Sequence, residues 1–190
     1  MKSTMPEVLG GIALTLLFAG IAFAADETQQ PVMFSGGHDT DRRDHGRPVV
    51  LIAGALGVTP ELFRQAFSGV TPAKGGRPSP ADARRNKEAL MKVLKPHGIT
   101  NDRLDQVSDY YRYRPQDGEL WPTTAAKAYA VIEGGQVRQI VVTDPGSGYS
   151  SAPVATVQGV KGATLKVSLQ YGTDLKKNGC VKSIDVTHPK

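Results

Sequence analysis

The chain has 190 residues, 39% hydrophobic and 22% charged, which is enough apolar content to bury a core and excludes a wholly disordered protein. Its 23 Lys and Arg against 18 Asp and Glu leave a formal net charge of +5, a balance suited to anionic surfaces. The single cysteine, Cys180, excludes an internal disulfide, zinc–cysteine sites and CxxC redox chemistry.

Residues 1–24 read as a signal peptide. Lys2 is followed by an uncharged apolar run over residues 8–22 and by Ala22-Phe23-Ala24, a small-x-small cleavage sequence, so cleavage is predicted after Ala24 or Ala25. The rival reading is a retained anchor, because residues 8–25 are at the lower edge of a spanning length. Export to the periplasm, cell surface or medium is expected, with membrane contact only through this segment where it stays uncleaved. Its removal takes Lys2 and Glu7 together and leaves the charge at +5.

Residues 25–46 are polar and short of aliphatic side chains, and read as a flexible arm. His38, Asp39, Asp41, Asp44 and His45 lie within eight residues of one another there, and imidazole with carboxylate is a donor set for a divalent metal ion. Arg42 and Arg43 stand inside the cluster and oppose a cation. In the competing reading Asp44 caps the next helix and the other charges are solvated. Hydrolytic chemistry on the His38–His45 cluster lacks a nucleophile and an oxyanion site nearby.

Residues 47–114 read as a four-helix domain built from two helical hairpins. Pro48 starts an apolar helix over residues 49–56, and Gly57 ends it. Thr59-Pro60-Glu61 starts the second helix and Ser79-Pro80 the third, which runs to about residue 95 before Pro96 and Gly98. Thr100 caps a fourth to about residue 113, with Leu104, Val107 and Tyr111 on one stripe. The segment AGALGVTPELFRQAF, residues 53–67, resembles the helix-turn-helix of bacterial DNA-binding regulators, and that likeness implies Arg64 and Gln65 as DNA contacts. The pattern is degenerate and export opposes it, so no nucleic-acid partner is expected.

Tyr110, Tyr113 and the interleaved Arg112 and Arg114 suit an anionic polymer, with rings to stack on sugars and guanidinium groups to hold anions. The competing reading is an amphipathic helix end whose cations face its own dipole. Residues 115–124 read as a linker that carries the only tryptophan, Trp121, expected to pack where two domains meet.

Residues 125–190 change to a period of two and read as a small antiparallel module of about five strands. A hairpin turns on Gly134-Gly135, and residues 164–171 alternate cleanly. GQVRQIVVT (135–143) and GCVKSIDVT (179–187) share Gly, Val, Ile, Val and Thr at an offset of 44, a partial internal repeat. Its incomplete second copy leaves residues 181–186 as a candidate free edge. Between the copies lies DPGSGYSSAP, whose glycines permit a tight reversal and whose Tyr149 either plugs the turn or, with Ser147, Ser150 and Ser151, forms a rim for a sugar.

The order strand, Gly, strand, TDPGSGY, Pro, strand resembles the GSGY-type β repeats of phage tail and receptor-binding proteins and of bacterial surface proteins. From His38 onward the chain also looks like uncharacterised exported proteins of planctomycete-type bacteria. The first likeness implies a structural or adhesive module, and the second implies no activity. The combined expectation is an α+β protein, a four-helix domain followed by a small antiparallel sheet. It would serve as a non-catalytic envelope protein that binds an anionic polysaccharide or an envelope protein, with Tyr149 added to the polymer-binding set and no cofactor beyond the metal reading.

Overall fold

The computed structural model describes residues 27–71, 78–112, 119–160 and 162–187. In chain order it contains β1 (Glu27–Ser35), α1 (Val49–Leu56), α2 (Pro60–Phe67), α3 (Pro80–Leu94), α4 (Asn101–Tyr110), β2 (Lys127–Glu133), β3 (Gln136–Asp144), β4 (Val154–Val157), β5 (Thr164–Gln170) and β6 (Cys180–Thr187). The strands form one antiparallel sheet in the order β3-β2-β1-β4-β5-β6. Its two end strands, β3 and β6, curl back against each other, so the sheet is a nearly closed barrel.

This corrects the expected architecture of a helical domain followed by a small sheet. The sheet is the dominant element, and the four α-helices among the described residues are an insertion between β1 and β2. Nor is the chain a helical bundle. The correction comes from the segment expected as a flexible arm, whose residues Glu27–Ser35 form a central strand. Residues 27–31 of β1 pair with β2, and residues 32–35 pair with β4 on the other edge. Pro31 sits at the last rung before that exchange of partner, where its missing N–H interrupts no continuing ladder.

The helices start where local chemistry places them. Thr59, Ser79 and Thr100 each accept a hydrogen bond from the backbone N–H three residues on, and proline opens α2 and α3. α1 has no side-chain cap and is held by burial instead: Leu51, Ala53 and Ala55 are fully buried. Asp44, read as its cap, serves elsewhere. The helices enclose a core of Leu51, Leu56, Phe63, Leu94, Leu104 and Val107 that also takes in Trp121, while Val32, Ala130, Ile132, Val137, Tyr149 and Val167 fill the sheet.

The internal repeat is a repeat of structure as well as sequence. Opposite β2, the register of β3 passes from Val137 to Gln139 and skips Arg138; opposite β5, β6 passes from Val181 to Ser183 and skips Lys182. Arg138 and Lys182 are the same repeat position, so the two end strands share a bulge at the same place, β3 having a second register shift at Thr143, and each bulge adds twist. The repeat threonines also match, since Thr143 Oγ1 donates to the Lys127 carbonyl (3.2 Å) and Thr187 Oγ1 to the Thr164 carbonyl (3.3 Å).

Asn178 fastens helices to sheet. Its side chain, buried to 1% exposure, donates from Nδ2 to the Leu51 carbonyl (2.7 Å) and the Tyr111 hydroxyl (2.8 Å) and accepts at Oδ1 from Gly172 N–H (3.0 Å). Burial pushes the Tyr111 phenol up to about 12, so it stays neutral as an acceptor at any physiological pH. Asn178→Ala strands two buried polar partners and a partly buried third, and a loss of about 3 kcal/mol in urea unfolding is expected. A loss below about 1 kcal/mol, the scale of an ordinary surface change, contradicts this role.

Candidate functional site

The segment DPGSGYSS, residues 144–151, meets four other parts of the chain. Val181 N–H donates to the Pro145 carbonyl (2.9 Å), Gly148 N–H to the Asn178 carbonyl (2.9 Å) and Tyr149 N–H to the Gly179 carbonyl (3.0 Å), which seams the end of β3 to the start of β6. Ser147 exchanges backbone bonds with Thr124 (2.9 and 3.0 Å), and Trp121 Nε1 donates to the Gly148 carbonyl (2.8 Å). Glycine is required where these backbones touch. Gly148 and Gly179 have φ of 82° and 68°, and an added Cβ would stand 2.5 Å from the Pro122 carbonyl oxygen and the Tyr149 carbonyl oxygen respectively.

Tyr149 lies inside this joint and is 3% exposed, with its hydroxyl accepting from Ala126 N–H (2.9 Å). Its neighbours are equally engaged: Ser150 N–H and Ser151 N–H both donate to the Gly37 carbonyl, and Ser150 Oγ donates to the Asp39 carbonyl (2.7 Å). Ser147 and Ser150 are buried. The exposed sugar-stacking rim is therefore replaced by a latch that ties residues 37–39 to the joint. Residues 181–186 are likewise not a wholly free edge, because Val181 is bonded across the seam.

The His–Asp cluster is spread over three local structures. His38 stacks on Tyr149 (ring centroids 5.5 Å apart) and tilts against Trp121 (6.3 Å), and its Nε2 is buried without a hydrogen-bond partner. Asp39 accepts from Ser151 Oγ (3.2 Å). Asp41 is gripped by Arg43, which holds its carboxyl well below the usual carboxylate range. Asp44, 4% exposed, receives a two-pronged bond from Arg64 (2.7 and 2.8 Å), and His45 is an exposed residue in the left-handed conformation. Among the described residues, no three His, Cys, Asp or Glu side chains are grouped to hold a metal ion. Two of the five expected ligands have guanidinium partners that a metal must displace.

The expected polymer set is also divided. Tyr110 is partly buried edge-on to Tyr111, Arg112 is exposed and ion-paired with Asp109, and Tyr113 and Arg114 lie outside the described residues. In the helix-turn-helix reading, Gln65 is exposed but Arg64 is tied to Asp44 and Glu61 (3.2 Å).

The arrangement missed from sequence is a groove of about 850 Å³ where α3 passes the start of α4. Arg84, Lys87, Lys92 and Lys95 line it around Met91 and Ile99, opposed by Glu88. Lys87 pairs with Asp105 (2.6 Å); among the described residues, Arg84, Lys92 and Lys95 have no acidic group within 4 Å and are exposed. Positions 84, 88, 91, 92 and 95 fall on one helical stripe, so the spacing was readable along α3. No protein-family model, curated protein or solved structure matches the chain.

His38 gives the joint a pH response. Burial lowers its pKa from the usual 6.5, with Asp39 pulling weakly the other way, so the folded state holds the imidazole neutral while the unfolded chain still takes up a proton near 6.5. Its contribution is complete above pH 6.5 and declines as pH falls through that value toward the lower folded pKa. Denaturant midpoints measured from pH 7.5 to 5 are expected to fall more steeply for the wild type than for His38→Phe, which keeps the stack on Tyr149. Parallel profiles contradict the burial of a neutral His38.

Proposed function

We propose that this protein is a non-catalytic, exported interaction protein of the cell envelope that binds an anionic polysaccharide along the α3 groove. The carrying observation is the stripe of Arg84, Lys92 and Lys95, exposed and without acidic partners among the described residues, beside Met91 and Ile99. Carboxylate or sulfate groups spaced along a polymer match cations spaced along a helix, and an apolar floor suits the less polar faces of sugar rings. The +5 charge and the signal-peptide pattern support the same reading.

Each exposed cation in such a contact contributes about 0.3–1 kcal/mol at low ionic strength, so three together amount to about fivefold or more in affinity. Retention on immobilised polyuronate is expected to weaken steadily between low and physiological salt. The triple variant Arg84→Gln, Lys92→Gln, Lys95→Gln is expected to bind at least about fivefold more weakly, whereas Lys166→Gln, an exposed cation on β5, stays near wild type. Salt-independent binding, no binding, or an unaffected triple variant rejects the proposal.

A further inference from the structure

A second pocket shares no residue with the α3 groove. It has a volume of about 360 Å³, in the range of small-molecule sites, and lies between the turn at residues 42–47 and the end of α2. Arg43, Arg47 and Arg64 reach it, with Val49, Phe67 and Val70 as its apolar wall.

The three guanidinium groups are not equivalent. Arg43 is held by Asp41 (2.7 Å) and Arg64 by the buried carboxylate of Asp44 (2.7 Å), so both charges are matched within the fold. Arg47 is the surplus cation. It is half-buried, its Nη1 donates to the Asp44 backbone carbonyl (2.9 Å), and its carbon centre lies 4.1 Å from the centroid of the Phe67 ring. Among the described residues no carboxylate comes within 4 Å of it, and none of its remaining N–H donors is both buried and unsatisfied, so they remain accessible.

A guanidinium held over an aromatic ring, oriented by one carbonyl, and still carrying free donors in its planar fork is arranged for two-pronged contact with an oxyanion. We propose that this pocket binds an organic carboxylate with a ring-sized apolar body, its carboxylate on Arg47 and its body against Val49, Phe67 and Val70. Arg43 and Arg64 stay with Asp41 and Asp44, so the anion's charge is met by Arg47. A simple inorganic anion satisfies the fork but leaves the wall unused, which separates the two classes of ligand. The site stands independently of polysaccharide binding at α3.

The test is an amide chemical-shift titration of the ¹⁵N-labelled protein at constant ionic strength, with sodium benzoate, sodium sulfate and sodium phosphate in separate arms. Benzoate is expected to shift amides of residues 43–49 and 67–70 saturably, and at least about tenfold more tightly than either inorganic anion. Arg47→Gln is expected to weaken benzoate about tenfold or more, Arg47→Lys to retain part of the affinity because it keeps the charge without the fork, and Lys166→Gln, an exposed position on β5, to bind as wild type. Should Arg47→Gln perturb the fold, the wild-type map and Arg47→Lys decide. Absence of saturable shifts, shifts located elsewhere, equal affinity for sulfate or phosphate, or unchanged binding by the Arg47 variants overturns the proposal.

Discussion

The run of residues 145–149 against residues 178–181 is the contact on which the rest of the structure depends. Three backbone hydrogen bonds close the sheet there, and the same few residues carry the attachments of the helices. Asn178 reaches α1 and α4 from one side of the seam, and Trp121 reaches Gly148 from the helical core. Arg103 extends the tie by donating to the carbonyls of Ala55 and Thr173, which links the end of α1, α4 and the β5–β6 connection. A long helical insertion between β1 and β2 is compatible with one fold because its contacts converge on this joint.

The repeat explains how such a joint arises. β3 and β6 are the two copies, bulged at Arg138 and Lys182 and tied to their preceding strands by Thr143 and Thr187, and the β2–β3 and β5–β6 pairs occupy the two ends of the sheet on either side of β1 and β4. Bulges increase twist, and matched twist at both ends curls the end strands toward each other. What distinguishes the copies is their connection. The first hairpin turns on Gly134-Gly135, whereas the second carries residues 171–179 across, and that longer connection delivers Asn178 to the helices.

Features determined by neighbours in sequence were legible before the structure. The caps of Thr59, Ser79 and Thr100, the Gly134-Gly135 turn, the buried stripe of Leu104, Val107 and Tyr111, and the repeat all follow from short-range rules. β1 was not legible, because ETQQPVMFS has no alternation and buries only Val32. Its strand character comes from two partners about a hundred residues away, taken on opposite edges by its two halves. For a related reason the side-chain partners of the His–Asp cluster were not legible: proximity in sequence does not decide which way side chains turn, and His38, Asp41 and Asp44 turn to Tyr149, Arg43 and Arg64. The serines read as a sugar rim are spent on the Gly37–Asp39 backbone for the same reason.

The charged surface and the joint have separate roles. The cations of α3 and Arg47 stand away from the seam, so loss of binding and loss of fold are separable by substitution. The account's central claim is that sheet closure and helix attachment form one cooperative unit through residues 145–149 and 178–181. Native-state hydrogen exchange of the Gly148, Tyr149, Gly179 and Val181 amides, followed with increasing denaturant, tests it most directly. The account predicts that these four amides exchange only through global unfolding, with the same free energy and denaturant dependence as the α1 and α4 core amides. Exchange through a smaller opening, with the helices or the hairpins still protected, contradicts it.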